Sequence, residues 1–407
     1  MKIAIIVHSF PNVSETFILN QITGLISHGH KVKIFALYNR SGKKNVHSGV
    51  NKYNLLDKTV FYKIPQNKAL RLINALFLFF KYLHYTPTKI INSLNPFKFG
   101  RQSLSLVLFY ITIPFLKEQF DIIHCHFGPM GIYGSYLKHL GINGKLVISF
   151  YGYDLSMYIQ KYGINVYNYL FEKGDIFLPI CNNFRNILIR LGCDKNKIII
   201  HRIGVDLNKF RYTIKRITNN KMVKLLTIGR LVEKKGHIYA IKAIAKIVKR
   251  FKNIEYTIAG DGPLRENLKK LVTKLNLGSY IKFIGVINDT DALNLYSMSH
   301  LFVLPSITAK NGDMEGTPVV LMEASACGLP VISTYHSGIP EVVIDKKSGY
   351  LVSEKDVDAL ADKIEYLINH PEKWAEMGRE GRKIVEENYD IKKLNQRLVE
   401  IYENCLK

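Results

Sequence analysis

Short apolar runs recur along the chain, each closed by turn residues and most followed by a longer stretch with helical spacing. In the first half the runs are Lys2–Val7, Lys31–Leu37, Ile122–Cys125, Leu146–Phe150, Ile176–Ile180 and Ile198–His201. Glu15–Ser27 has the spacing of the first helix. The second half repeats the theme with Lys224–Ile228, Glu255–Ala259, Lys282–Ile284, Leu301–Leu304 and Val331–Ser333. Helical patterns over Glu372–Glu387 and Ile391–Cys405 close the chain. Such alternation predicts an α/β protein, with parallel sheets covered by helices on both faces. Residues 211–222 (RYTIKRITNNKM) are polar, basic and aperiodic, which marks a linker. The chain thus divides into a domain at 1–210, a linker at 211–222, a second domain at 223–387 and a terminal helix at 388–407. Two doubly wound domains facing each other hold ligands at the carboxyl ends of their strands, in the cleft between them.

Length and charge sharpen this picture. At 407 residues there is room for two full cores. The net charge is +24, and residues 1–118 carry sixteen Lys/Arg against three acids, Glu15, Asp57 and Glu118. That asymmetry points to an anionic partner on the N-terminal side, a nucleic acid or an anionic membrane surface. No nucleic-acid-binding motif accompanies it, so the membrane surface is the expectation. Five scattered cysteines lack metal or disulfide spacing and suit reduced thiols in the cytosol. The first residues read as a core strand rather than a signal peptide. The uncharged runs Leu72–Phe80 and Gln102–Leu116 are too short to span a bilayer. The aromatic, basic-flanked segment Ala69–Tyr85 fits a helix lying in the membrane interface or a helix of the first core. The basic excess favours the former, with the protein peripheral on the cytoplasmic face of the inner membrane.

The chemistry concentrates in Glu315-Gly-Thr-Pro-Val-Val-Leu-Met-Glu323-Ala-Ser-Ala-Cys-Gly328. Thr317 before Pro318 is a helix start, and Gly328 with Pro330 is a stop. The amides near Val319 would then sit at the positive end of a helix, where an anion binds, with a carboxylate on either side. A lone mid-helix Glu usually points to water; the phosphate-suited helix end favours instead a pocket for a ligand with both phosphate and hydroxyls. Gly229-Arg230-Leu-Val-Glu-Lys-Lys235-Gly236 follows a strand directly, placing a guanidinium and an ammonium at the sheet edge. Asp289-Thr-Asp291 and Asp356-Val-Asp358 stand where helices begin, which explains them without a metal.

These motifs resemble retaining glycosyltransferases of family 4, which have the GT-B fold of two Rossmann-like domains facing across a cleft. The resemblance covers nearly the whole chain and is densest over 224–352. It implies that Glu323 holds the donor ribose and Glu315 the transferred sugar. Arg230 and Lys235 would neutralise the pyrophosphate, with Gly316, Thr317 and Val319 at the helix end beside it. Gly285 and Val286, in the turn after Phe283, would border the base. At the family's His-Gly-x-Asp position this chain has Tyr151-Gly152-Tyr153-Asp154. Tyr151 keeps the contact role, but tyrosine is a poor proton shuttle near neutral pH. His126, at the end of a strand, and Asp154 are further cleft candidates. Phe10-Pro-Asn-Val-Ser14-Glu15 replaces the family's glycine-rich loop and resembles a subgroup making bacterial exopolysaccharide and colanic-acid-type polymers. Ser14 and Glu15 read as a helix cap, and Glu15 is the acceptor-side candidate.

The resemblance implies transfer of a sugar from a UDP- or GDP-linked donor to a glycan or lipid-linked oligosaccharide, with retention and without metal or other cofactor. The rivals are a sugar-nucleotide epimerase, a phosphorylase, a basic anion- or nucleic-acid-binding protein, and a degenerate transferase that binds donor without turnover. A phosphorylase needs a pyridoxal phosphate lysine, for which no distinctive site stands out.

Overall fold

A computed structural model describes residues 1–12, 15–40, 48–216 and 222–407. Ser14, one of the expected cap residues, lies outside these, as do residues 217–221 of the 211–222 linker. The first sheet is built from β1 (Lys2–Phe10), β2 (Lys31–Asn39), β3 (Thr59–Phe61), β4 (Ile122–His126), β5 (Lys145–Phe150) and β6 (Ile176–Pro179). The second comprises β7 (Val223–Ile228), β8 (Ile254–Ala259), β9 (Ile281–Gly285), β10 (Leu301–Leu304), β11 (Val331–Thr334) and β12 (Gly349–Val352). All pairings are parallel, in the orders β3-β2-β1-β4-β5-β6 and β12-β11-β10-β7-β8-β9. Each order reverses direction beside its first strand, the switch point at which such sheets bind ligands. The central strands are buried on both faces, which is why they read as continuous apolar runs.

Two expected details differ. Ile198–His201 is not a strand; it runs beside β6 with a single bridge, Phe177 to Ile198. The amide of His201 donates to the Pro179 carbonyl at 3.0 Å, but Pro179 has no N–H to offer a ladder in return. The linker, whose Arg211, Thr213, Ile214 and Arg216 are exposed, is pinned at one buried residue. Lys215 is buried, and its ammonium donates to the Tyr296 and Ser297 carbonyls at 2.7 and 3.1 Å.

The domains share a boundary core in which Ile180 and Phe184 meet Leu321, Met322 and Ile339. The terminal helix Ile391–Leu406 crosses back to the first domain. Leu398 and Tyr402 join Ile3, Ile5 and Ile22 in its core, and Tyr402 Oη meets His124 Nδ1 at 2.6 Å.

The Lys68–Leu83 helix is capped by Asn67 and buries only Ala75. Leu70, Ile73, Leu76, Phe77 and Phe80 are each more than half exposed. It is therefore not an ordinary core helix. Among the described residues, no helix is long and apolar enough to cross a membrane.

Candidate active site

The site is assembled where loops from the strand ends of both sheets meet. Gly229–Gly236 leaves β7; its one turn of 3-10 helix, Glu233–Lys235, ends on Gly236 at φ 68°. A Cβ there would lie 1.8 Å from the Pro305 carbonyl oxygen, so only glycine allows this approach. The loop delivers two lysines to one buried carboxylate. Lys235 Nζ stands 3.1 Å from Glu315 Oε2 and Lys234 Nζ 3.5 Å from Oε1. Burial alone would raise the Glu315 carboxyl, but Lys235 and Lys234 outweigh it and hold it down at about 2. Both lysines thus face Glu315, where the expectation favoured Lys235 alone. Lys234 also reaches Asp313 at 3.2 Å. Arg230 is exposed, and among the described residues no ion pair engages its guanidinium. It is free for a ligand.

Thr317 does not cap the following helix. Pro318 is the cap residue in extended conformation, and the helix runs Val319–Ala326. Gly338 packs against the Thr317 hydroxyl so closely that a Cβ would lie 2.5 Å from it. Thr317 is buried and its Oγ1 has no hydrogen-bond partner. The helix still ends on free amides, because its first bond runs from Leu321 N–H to the Pro318 carbonyl at 3.0 Å. One turn on, Glu323 Oε2 accepts from Tyr296 Oη at 2.8 Å. Burial raises its carboxyl, with the tyrosine bond opposing. Gly285, at φ 78°, ends β9, and Val286 beyond it is 71% exposed, an apolar surface free to meet a flat ring.

From the first domain, His126 ends β4 and Tyr151 follows β5. His126 Nδ1 meets Tyr151 Oη at 2.7 Å, while its Nε2 is buried without a partner. Burial keeps the imidazole neutral, its pKa lowered to about 3, and pushes the Tyr151 phenol up. A Cβ on Gly316 would lie 2.5 Å from the Tyr151 carbonyl, so the two domains touch here. Asp154 is placed differently from the expectation of a cleft-lining carboxylate. Its oxygens accept from the amides of Gly128, Tyr151 and Gly152 at 3.1, 3.1 and 2.8 Å, so it clamps the loop that presents Tyr151. Glu15 precedes the Thr16–Ser27 helix and makes no side-chain cap. Burial raises it to about 7, with Arg40 and Asn12 opposing.

The Asp-x-Asp runs do capping work. Asn288 and Asp291 form a reciprocal capping box, and Asp356 accepts from Ala359 N–H at 2.9 Å. Beside the site a cavity of about 610 Å³ opens between the domains, floored by Leu155, Ile159, Ile187 and Leu191.

Sequence reasoning missed Tyr296, His336 and Glu354. His336 Nε2 accepts from Glu315 N–H at 3.1 Å, and its Nδ1 meets Glu354 Oε1 at 2.6 Å. A signal existed, since His336 lies just past the end of β11, the strand-end position that singles out His126.

Two facing nucleotide-binding-type domains with this cluster at their contact define a GT-B glycosyltransferase. The comparisons agree. The family described as "Glycosyltransferase Family 4" matches residues 14–209, and "Glycosyl transferases group 1" matches 210–384. A putative colanic acid biosynthesis glycosyltransferase, WcaL, of Escherichia coli K12 is 34% identical, over 98% of this chain and 99% of its own. The amylovoran biosynthesis glycosyltransferase AmsK of Erwinia amylovora is 36% identical over 89% of each chain. Among solved structures, Anabaena Alr3699/HepE in complex with UDP and glucose superposes with a TM-score of 0.73. It covers 99% of this chain and 100% of its own at 16% identity. A sucrose-phosphate synthase from Thermosynechococcus elongatus reaches 0.75 at 20% identity, over 99% and 98%. The chain belongs to this glycosyltransferase family.

Proposed function

We propose that the protein transfers a sugar from a nucleotide-diphosphate donor to a glycan or lipid-linked acceptor, with retention, in building a bacterial surface polysaccharide. The observation that carries the reading is that two buried polar atoms at the domain contact, Thr317 Oγ1 and His126 Nε2, have no hydrogen-bond partner, beside Glu315 Oε1, which has only the Lys234 ammonium at 3.5 Å. Buried polar groups normally find partners, and a ligand rich in hydroxyls and phosphate supplies them. The colanic acid and amylovoran glycosyltransferases named above favour an exopolysaccharide. UDP in the Anabaena complexes makes a uridine donor the first to test.

Each residue then has a task. Arg230, the lysine pair and the amides at Val319 and Val320 meet the negative charge that develops as the diphosphate leaves, which is the largest service a preorganised site gives. Charge neutralisation by these groups makes the reaction metal-independent. Glu323, held by Tyr296, accepts from the ribose hydroxyls, and Gly285 with Val286 borders the base. Glu315 orients the sugar, and the Gly316 and Thr317 backbone continues the cradle. The leaving diphosphate and the entering acceptor share one face of the sugar, which gives retention. Neutral His126 and Tyr151 line the sugar side, and Glu15 stands on the acceptor side. The exposed Lys68–Leu83 face and the basic N-terminal third suit attachment to the cytoplasmic face of the inner membrane.

Calorimetric titration with UDP, GDP and ADP in EDTA tests this. One nucleotide should bind, and Arg230→Ala/Lys235→Ala should weaken it about 100-fold or more, as for loss of two charge-assisted contacts. Glu323→Ala should weaken binding, whereas Glu315→Ala should bind nucleotide and slow transfer. Binding of none of the three would sink the reading. Binding of one with turnover to an epimerised nucleotide sugar would replace transfer by epimerisation.

A further inference from the structure

Glu315 sits in a segment, 312–317, that belongs to no helix or strand. Its placement therefore depends on bonds from neighbouring loops. One comes from His336, whose side chain is 1% exposed. Because Nε2 accepts from the Glu315 amide at 3.1 Å, that nitrogen carries no proton. The ring is the neutral tautomer with hydrogen on Nδ1, which donates to Glu354 Oε1 at 2.6 Å. Both ring nitrogens are thus committed, and the ring cannot turn over without losing both bonds.

Glu354, just beyond β12, does more than orient the ring. Its Oε2 accepts from Thr308 N–H at 2.8 Å. The next residue back, Ile307, donates its N–H to the Lys234 carbonyl at 2.9 Å. One carboxylate therefore ties together the segment carrying Glu315 and the loop carrying the two lysines that neutralise it. Gly338 completes the support, donating its N–H to the Gly316 carbonyl at 3.0 Å.

We propose that His336 and Glu354 are positioning residues that set the Glu315 segment against the Lys234–Lys235 loop for the transfer step. The relay touches neither Arg230 nor Glu323, so its loss should slow transfer more than it weakens nucleotide binding. This proposal deepens the donor-site reading above and rests on it for its catalytic consequence.

The test has a structural arm and a kinetic arm. Hydrogen exchange of the ligand-free protein reads the segment directly, since local opening follows the loss of its bonds. His336→Ala and Glu354→Ala should speed exchange in peptides spanning 309–318, whereas Glu354→Gln, whose one carbonyl oxygen can still accept from Nδ1–H but not also from Thr308 N–H, should restore protection in part. The kinetic arm follows nucleoside diphosphate release from UDP-glucose, or from GDP-mannose if GDP is the nucleotide that binds. His336→Ala and Glu354→Ala should lower kcat by up to about 100-fold, the scale of a misplaced reacting group. The affinity for the bare diphosphate should fall less than kcat, and Glu354→Gln should recover part of kcat. Unchanged exchange in His336→Ala overturns the proposal. So does faster exchange with unchanged kcat, and so does equal loss of kcat and nucleotide affinity, which would make the role purely structural. A wild-type protein that binds no nucleotide sinks the donor-site reading instead, and the exchange arm still judges the relay.

Discussion

At the scale of single residues, the site sets carboxylates in opposite electrostatic states. Glu315 is buried but ionised, because two ammonium groups lie within 3.5 Å. Glu15 is half-buried, and Arg40 offsets its desolvation only in part, leaving it at about 7. Its sign is that of a raised acid. The folded state holds the proton more tightly than the unfolded chain, so this contribution is full below about 4.5 and is lost as pH rises through about 7. Glu15→Gln removes the titration. Its Tm should match wild type near about pH 5 and exceed it near about pH 8, as measured by thermal unfolding at the two values. An equal difference at both would show that Glu15 ionises freely in the fold. Glu315 was legible in the sequence because a motif and a helix end frame it. The elevated Glu15 was not, since its burial comes from chain segments that sequence spacing does not bring together.

At the scale of elements, apolar runs bounded by glycine and proline placed most strands, and the Glu372–Asn388 and Ile391–Leu406 helices match their patterns to within a residue. What failed was short or tertiary. Thr59–Phe61 has only three residues to show a period. Gly349–Val352 is hidden among turn residues, and Pro179 disqualifies the expected strand after β6. His336 and Glu354 escaped because their bonds link the ends of adjacent strands through a turn and a second loop. The crossing of the last helix was likewise invisible in composition, and it hangs on a polar link inside the first core. Tyr402 Oη meets His124 Nδ1, and His124 Nε2 meets Ser149 Oγ at 2.8 Å. Tyr402→Phe keeps the ring and strands a buried nitrogen, which should cost about 1–3 kcal/mol. Chemical denaturation would read that loss as a lower midpoint at unchanged slope. A midpoint equal to wild type would mean that apolar packing alone docks the helix.

At the scale of the whole molecule, charge and apolar surface coincide on one side of the first domain. Leu70, Ile73, Leu76, Phe77 and Phe80 stand exposed along one helix, and Phe97 and Leu104, in the short helices that follow in the chain, are exposed to 99% and 74%. Water-facing patches of this kind mark an interaction surface. Cations border it: Lys81 lies over the Phe77 ring, and Lys117 lies 4.1 Å from the Tyr85 ring centroid. On the proposed membrane attachment, the apolar strip edged by lysines would meet the headgroup boundary of an anionic bilayer, with its rings in the acyl region and its ammonium groups at phosphate. A protein partner would need complementary acids, and nothing in the patch selects one. The protein should therefore sediment with phosphatidylglycerol vesicles and not with phosphatidylcholine vesicles, and added salt should weaken binding. Phe77→Ser/Phe80→Ser should reduce the partition coefficient about 100-fold or more, because burying each ring is worth about 1.5–3 kcal/mol. Nucleotide affinity should be untouched by the same changes, since neither ring belongs to the cleft, and that result would show the fold intact. Equal sedimentation of wild type and double variant would move the attachment elsewhere. Sedimentation that ignores lipid charge would leave the basic third of the chain without a membrane role.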